Sequence, residues 1–269
     1  MGSTLFIVWR ESVEAMLVVG ILHSWLKFNE AGPAGLRALW IGVGCGVGLA
    51  GVLGWAMVAA QGELSGAALE WFQIGMLLVA AALIVQMVLW MRRHGAGMRN
   101  SLHHNLATAM QRSGLLGIAI VAALAIAREG AETAVFLYGV SLEPGGSASL
   151  MAGAALGFAL AGLTAWALGR GLRFLDYRRF FSISSWMLLA FAVALLVSAV
   201  DRLIGAGLLP ALVDPLWDSA WLLDDSRRVG SLLAALVGYR ARPTLMLVIV
   251  YAVYWLGMFR AMRPVRRDA

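Results

Sequence analysis

The chain reads as an all-α integral membrane protein of seven transmembrane helices, six of them paired as a 3+3 inverted repeat with one helix added. Three observations carry this reading. Of 269 residues 61% are hydrophobic and only 13% charged, whereas a soluble globule carries about 25% charged residues; mean hydropathy is +0.81. The apolar residues gather into seven runs of membrane-crossing length. An R-E-x-x-E pattern lies inside the first run and again inside the fourth, which cross in opposite directions.

A span needs about 20 mostly apolar residues. The runs fall at about 5–26, 38–60, 67–91, 115–140, 150–168, 180–200 and 244–261, within one transmembrane domain covering 1–269. Basic residues then alternate between the sides. Lys27 and Arg37 follow the first span; Arg92, Arg93, Arg99 and Arg112 the third; Arg170, Arg173, Arg178 and Arg179 the fifth; Arg260, Arg263, Arg266 and Arg267 the seventh. The intervening short loops carry Glu63 and Glu143 and no Lys or Arg. Positive charge marks the cytoplasmic side, so the N-terminus is expected outside and the C-terminus in the cytoplasm, as an odd span count requires. The net charge of +6 is thereby a topology signal in a multi-pass plasma (bacterial inner) membrane protein, its surroundings lipid, and nucleic acid is not an expected partner. "MGSTLFIVWRE" lacks the basic start and small-residue cleavage site of a signal peptide. The single Cys45 offers no intrachain disulfide and no thiolate cluster.

The first span, "FIVWRESVEAMLVV", holds Arg10, Glu11 and Glu14. The second has a small-residue ridge at Gly42, Gly46, Ala50 and Gly54, and the fifth another at Gly153, Gly157 and Ala161; both read as close helix packing. The third opens with Glu70, and Gln73 lies one turn deeper. Between the third and fourth, Met98, Leu102, Leu106, Ala109 and Met110 form one stripe of a helix expected on the inner membrane surface. Its His103 and His104 point about 100° apart and make a poor chelating pair. Asp201 closes the sixth span and begins an external loop, 201–242, with Asp214, Asp218, Asp224 and Asp225. Inside that loop "DDSRRVGSLLAALVGY" reads as a short surface helix capped by Asp225 or Ser226.

The charges within the first and fourth spans need compensation. Each costs roughly 2.5–3.5 kcal/mol at a membrane centre on insertion scales. In "AIAREGAETAVFLYG" the fourth span repeats the set as Arg128, Glu129 and Glu132. On a helix the two glutamates of each motif share a face, with the arginine one turn from the second. From the expected outer ends at Leu5 and Val140, both pairs lie roughly 9–17 Å deep at about 1.5 Å per residue. That matched depth in oppositely directed helices suits a transporter site near the midplane. Four carboxylates and two arginines leave about −2 if all are ionised, which a cation would offset. Carboxylate oxygen suits hard cations such as Mg, Ca, Mn and Fe(III). No His follows any of these glutamates by three residues, so the Glu-x-x-His element of di-iron bundles is missing. Internal salt bridges without a ligand are the plainer reading, and two matched motifs speak against it.

R-E-S-V-E in the first span and R-E-G-A-E-T in the fourth, with "LEWFQIGMLLVAAALIVQMVLWMRRH" and "GYRARPTLMLVIVYAVYWL", resemble the oxidase-dependent iron transporter family. That family comprises the fungal ferric permeases and their bacterial relatives. The resemblance implies a high-affinity permease moving iron, expected as ferric, into the cytoplasm. Its metal ligands would be Glu11, Glu14, Glu129 and Glu132, supported by Arg10 and Arg128. It also implies a periplasmic or extracellular ferroxidase or iron-binding partner, with iron as substrate and no tightly bound organic cofactor. Ser12 and Val13 stand where the family often has a Gly, as at Gly130. Glu70 and Asp201 are candidates for an outer access site. Two other readings remain: an intramembrane carboxylate or metal enzyme, and a permease for lead or manganese. No GKS or GKT phosphate loop is present, so direct ATP use is not expected.

Overall fold

The computed structural model describes residues 2–94, 98–142, 146–169, 177–225 and 228–262. Among these, helices are the regular secondary structure: α1 (Gly2–Phe28), α2 (Gly32–Glu63), α3 (Gly66–His94), α4 (Met98–Ser141), α5 (Gly146–Gly169), α6 (Tyr177–Gly205), α7 (Arg228–Val237) and α8 (Leu245–Ala261). Each of the seven apolar runs lies on one helix. Glu143, Arg170, Arg173, Ser226, Arg263, Arg266 and Arg267 lie outside the described residues.

Among the described residues, five helices are long and apolar enough to cross a membrane, over Gly32–Glu63, Gly66–Arg92, Leu106–Ser141, Ser147–Ala167 and Ser182–Gly205. The seven-span expectation is thus met in part. α1 has the length, 27 residues, but Arg10, Glu11 and Glu14 interrupt its apolar run. α8 is apolar but only 17 residues long.

The chain divides into two compact units, Met1–Ser65 with His94–Phe181, and Gly66–Arg93 with Ser182–Ala269. In the first, α1 packs on α5 and α4, and α4 packs on α2. Lipid tails are as apolar as the helices, so association depends on close van der Waals fit. The small-residue ridges provide it. A Cβ on Gly157 would lie 2.5 Å from Leu5 O, 3.0 Å from Trp9 N and 3.1 Å from Val8 Cβ. A Cβ on Gly46 would lie 2.8 Å from Ala123 O, 3.0 Å from Ala127 N and 2.8 Å from Ile126 Cβ. Counted back from Arg10, the first set sits at the positions that the second occupies before Arg128. The same backbone contact is therefore made twice, α5 on α1 and α2 on α4.

Toward the Lys27 end of α1, Val18, Leu22 and Leu26 join Ala38, Leu39, Leu106, Ile118 and Ala122 in an apolar cluster. Gly114, at φ 57° and ψ −131°, divides α4 into an arm and a span; that left-handed region favours glycine. The arm is amphipathic as expected: Leu106 is buried, while His104 and Arg112 are exposed. The side chains of Leu102 and His103 lie outside the described residues.

In the second unit α8 is capped by Thr244, whose hydroxyl accepts from Leu247 N at 3.4 Å. It packs on α6 through Val193, Val197, Val200 and Leu247, and Tyr254 donates its hydroxyl to Leu189 O at 2.8 Å. Asp201 falls inside α6, so the connecting segment runs from 206 to 244. Asp225, expected as a cap, also serves a donor elsewhere in the segment. Asp225 Oδ2 accepts from Ala241 N at 3.3 Å, across the segment, and α7 starts only at Arg228.

Gly157→Ala and Gly46→Ala should each lower thermal stability in detergent by about 1–3 kcal/mol through overpacking. Gly48→Ala, with nothing within 4 Å of its added Cβ, should be neutral or stabilising by up to about 1 kcal/mol. Equal melting temperatures for all three would show that the ridges are not in contact.

Candidate metal site

α1 buries one stripe along nearly its whole length: Thr4, Ile7, Glu11, Glu14, Val18, Leu22 and Leu26. The 3.6-residue period places the two glutamates of R-E-x-x-E on that stripe, with Arg10 beside them. Arg10 is fully buried, at 0% exposure. Its Nη1 donates to Glu11 Oε1 at 2.7 Å, and its Nη2 lies 2.5 Å from Glu14 Oε1, an ion pair without hydrogen-bond alignment. One guanidinium fork thus spans both carboxylates of its own motif.

The α4 motif differs. Arg128 Nε donates to Glu132 Oε1 at 3.1 Å, the expected i,i+4 pair, but the arginine side chain is 48% exposed. Thr133 turns its hydroxyl back onto Glu129 O at 2.8 Å.

The two helices bring their carboxylates together. One oxygen each from Glu11, Glu14 and Glu129 lie within 4.8 Å of one another. Oxygens bound to a common cation at about 2.0–2.6 Å are at most about 4–5 Å apart, so the trio has the dimensions of a ligand set. Glu132, expected as a fourth ligand, is held by Arg128 and stands outside this trio. Glu11 Oε2, Glu129 Oε2 and Glu132 Oε2 are buried with no hydrogen-bond partner. Such atoms cost about 1–3 kcal/mol each, more when charged, and a cation is the partner that would satisfy several at once.

Trp9 fixes the setting of α1. Its Nε1 donates to Thr164 Oγ1 of α5 at 3.0 Å, immediately beside Arg10. Sequence reasoning missed this tether, although a threonine in the otherwise apolar fifth span was its signal. It also passed over Ser3 and Thr4, both buried on α1.

Glu70 and Asp201, the expected access residues, belong to the second unit. Glu70 is exposed. Asp201 is also exposed and faces Arg240 Nε at 3.6 Å. Gln73 accepts from Arg202 Nη1 at 2.6 Å, which joins α3 to α6.

The model of the iron permease FTR1 family matches residues 1–265. The chain belongs to that family. The ferrous iron permease EfeU of Yersinia pestis is 30% identical over 250 residues, 92% of this chain and 88% of that protein. EfeU of Escherichia coli O157:H7 is 29% identical over 250 residues, 92% and 90% of the two chains. No solved structure matches the chain. Family and helices together make this a multi-pass membrane protein of iron transport.

The two arginines should not be equivalent. Arg10→Ala leaves two buried carboxylates facing each other and should cost about 3–5 kcal/mol in thermal unfolding. Arg128→Ala removes a half-exposed partner of one carboxylate and should cost clearly less. Equal losses would mean that the buried fork is no more important to the fold than the open pair.

Proposed function

We propose that this chain is a high-affinity permease that carries iron into the cytoplasm through Glu11, Glu14, Glu129 and Glu132, with Arg10 and Arg128 holding the empty site. The carrying observation is the approach of Glu11, Glu14 and Glu129 oxygens from two helices to within 4.8 Å. An arriving cation offsets the negative excess of the trio over Arg10, and Glu132 can join once Arg128 releases it. In this reading all seven apolar helices cross the membrane, α1 with its charges turned inward and α8 despite its length. The duplicated glycine contact beside each motif supports the inverted repeat. The arginine distribution supports an outer N-terminus and a cytoplasmic C-terminus in the plasma membrane. Exit toward Lys27 requires the apolar cluster around Leu22 and Ile118 to part.

Carboxylate oxygens favour a hard ion, and therefore ferric iron delivered by an outer ferroxidase or iron-binding protein. A second reading is ferrous iron, which the name of the EfeU relatives carries. Glu70 and Asp201 would gather the ion at the outer side.

Iron uptake into proteoliposomes tests the site. Glu11→Gln, Glu14→Gln, Glu129→Gln and Glu132→Gln keep size but lose charge, and each should lower uptake roughly tenfold or more, since a charge-assisted contact is worth about 1.5–3 kcal/mol. Near-normal uptake in all four would sink the assignment. Feeding ferric citrate in one arm and ascorbate-reduced iron in the other separates the two oxidation states. Failure of lead and manganese to compete would exclude them as alternative cargo.

A further inference from the structure

The segment between α6 and α8 has a burial pattern that does not suit an aqueous loop. α7 buries its small residues, Gly230 and Ala234, and turns Val229, Leu232 and Leu233 outward at 62%, 45% and 38% exposure. In water a helix does the reverse. The long apolar helix α2 has the same inverted pattern, with Gly42 and Gly46 buried and Trp40, Ile41 and Val47 exposed. Just ahead of α7, Trp221 and Leu222 are also exposed, at 83% and 72%.

Depth along α6 gives an independent indication. A Cβ on Gly238, at the end of α7, would lie 3.0 Å from Ala194 Cα and 3.3 Å from Val197 Cγ2. Those residues precede the charged pair Asp201–Arg202 by four to seven positions, or about 6–10 Å at 1.5 Å per residue. The chain therefore descends beside α6 below its polar collar, then rises to start α8 at Leu245. That is why α8 is short, with Leu247 already level with Val193, Val197 and Val200.

Backbone at that depth must satisfy itself. Gly238 N bonds Ala234 O at 3.0 Å, and Ser219 N bonds Ala241 O at 2.9 Å. Tyr239 Oη donates to Leu223 O at 2.9 Å. The charge in the turn is partnered: Arg240 donates to Ser198 Oγ at 3.2 Å and faces Asp201 at 3.6 Å.

We propose that residues 228–240 form the embedded part of a re-entrant segment, with α7 sunk into the outer leaflet and Val229, Leu232 and Leu233 against lipid acyl chains. Its 10 residues span about 15 Å, half of the roughly 30 Å hydrocarbon core, so α7 enters without crossing. Trp221 sits at the interface, where indole is favoured. The proposal rests on α6 crossing the membrane with the orientation given above.

Spin labels in phosphatidylcholine–phosphatidylglycerol liposomes test it. In a Cys45→Ala background, labels are placed by Val229→Cys and Leu233→Cys, with Asp218→Cys as the water control and Met187→Cys, on α6, as the lipid control. Oxygen, which partitions into lipid, should relax the labels at 229 and 233 as strongly as that at 187. A water-soluble nickel complex should relax only the label at 218, making the oxygen-to-nickel ratio several-fold higher at 229 and 233. Nickel access at 229 and 233 with lipid access at 187 would overturn the re-entrant segment while leaving α6 as a span. Access by neither agent at 229 and 233 would overturn it in favour of a protein-covered face. Nickel access at 187 would overturn both.

Discussion

Arg10 is a guanidinium with no exposed surface, and its burial sets the conditions for the rest of the first unit. A charge removed from water is tolerated only when its partners are close and well placed. Here both partners are supplied by the same helix, Glu11 at 2.7 Å and Glu14 at 2.5 Å. A single helix cannot also bury them. α4 and α5 must close around α1 at a distance that keeps lipid and water away, and bulky side chains would hold them too far apart. Gly157 follows from this requirement, while Gly42 and Gly46 seat α2 on α4. Gly157 meets the α1 backbone beside Arg10, at Trp9 N and Val8 Cβ, so a close helix approach falls next to the enclosed charge.

The two motifs are alike in sequence and contact but unlike in state. Residues 5, 8 and 9 stand to Arg10 as 123, 126 and 127 stand to Arg128, and a glycine packs on each set. Yet Arg10 is enclosed and doubly paired, whereas Arg128 is half-exposed and bonded to Glu132. In the proposed inverted repeat, halves in different states are what alternation between two conformations would require, since identical halves would make both ends of the path equally open or equally closed. The α1 half is the settled one, and Trp9 bound to Thr164 holds it there. In the α4 half, Glu129 joins the trio while Glu132 stays with its arginine.

Much of this was legible in the sequence because its signals are local. R-E-x-x-E fixes a shared face by helical period alone, and the i,i+4 pairs Arg10–Glu14 and Arg128–Glu132 follow from spacing. The small-residue ridges at Gly42 and Gly157 announce close packing without saying on what. What remained hidden depends on partners far apart in the chain. The spacing pairs Glu132 with Arg128 but does not say that Glu129, rather than Glu132, reaches Glu11 and Glu14. Trp9 and Thr164 are 155 residues apart. The depth of Gly238 against Ala194 cannot be read from a stretch that looks like any amphipathic surface helix. Asp225, read as a helix cap from its position, also accepts from Ala241 N, because a carboxylate serves whichever donor the tertiary fold brings to it.

Under the proposed function, the stripe that α1 buries is where an ion would meet resistance. Positions 4, 11 and 18 lie nearly in line, seven residues apart on a 3.6-residue helix. Above the carboxylates the stripe begins with Ser3 and Thr4, whose hydroxyls can solvate a cation, and Thr4 Oγ1 is buried without a hydrogen-bond partner. Below them it continues as Val18, Leu22 and Leu26, locked to Leu39, Leu106, Ile118 and Ala122. A cation moving down loses oxygen ligands and gains none, so its desolvation cost rises at Val18. The barrier on the Lys27 side is therefore dielectric as well as steric, and opening it must admit water or new oxygen ligands, not merely widen the gap. Leu106 ties that barrier to the arm of α4, which turns at Gly114. Displacing the arm withdraws one wall of the cluster without disturbing the Arg10 fork. Under the proposed function, the element that would open the path is separate from the element that holds the charge, so the site need not collapse when the arm moves.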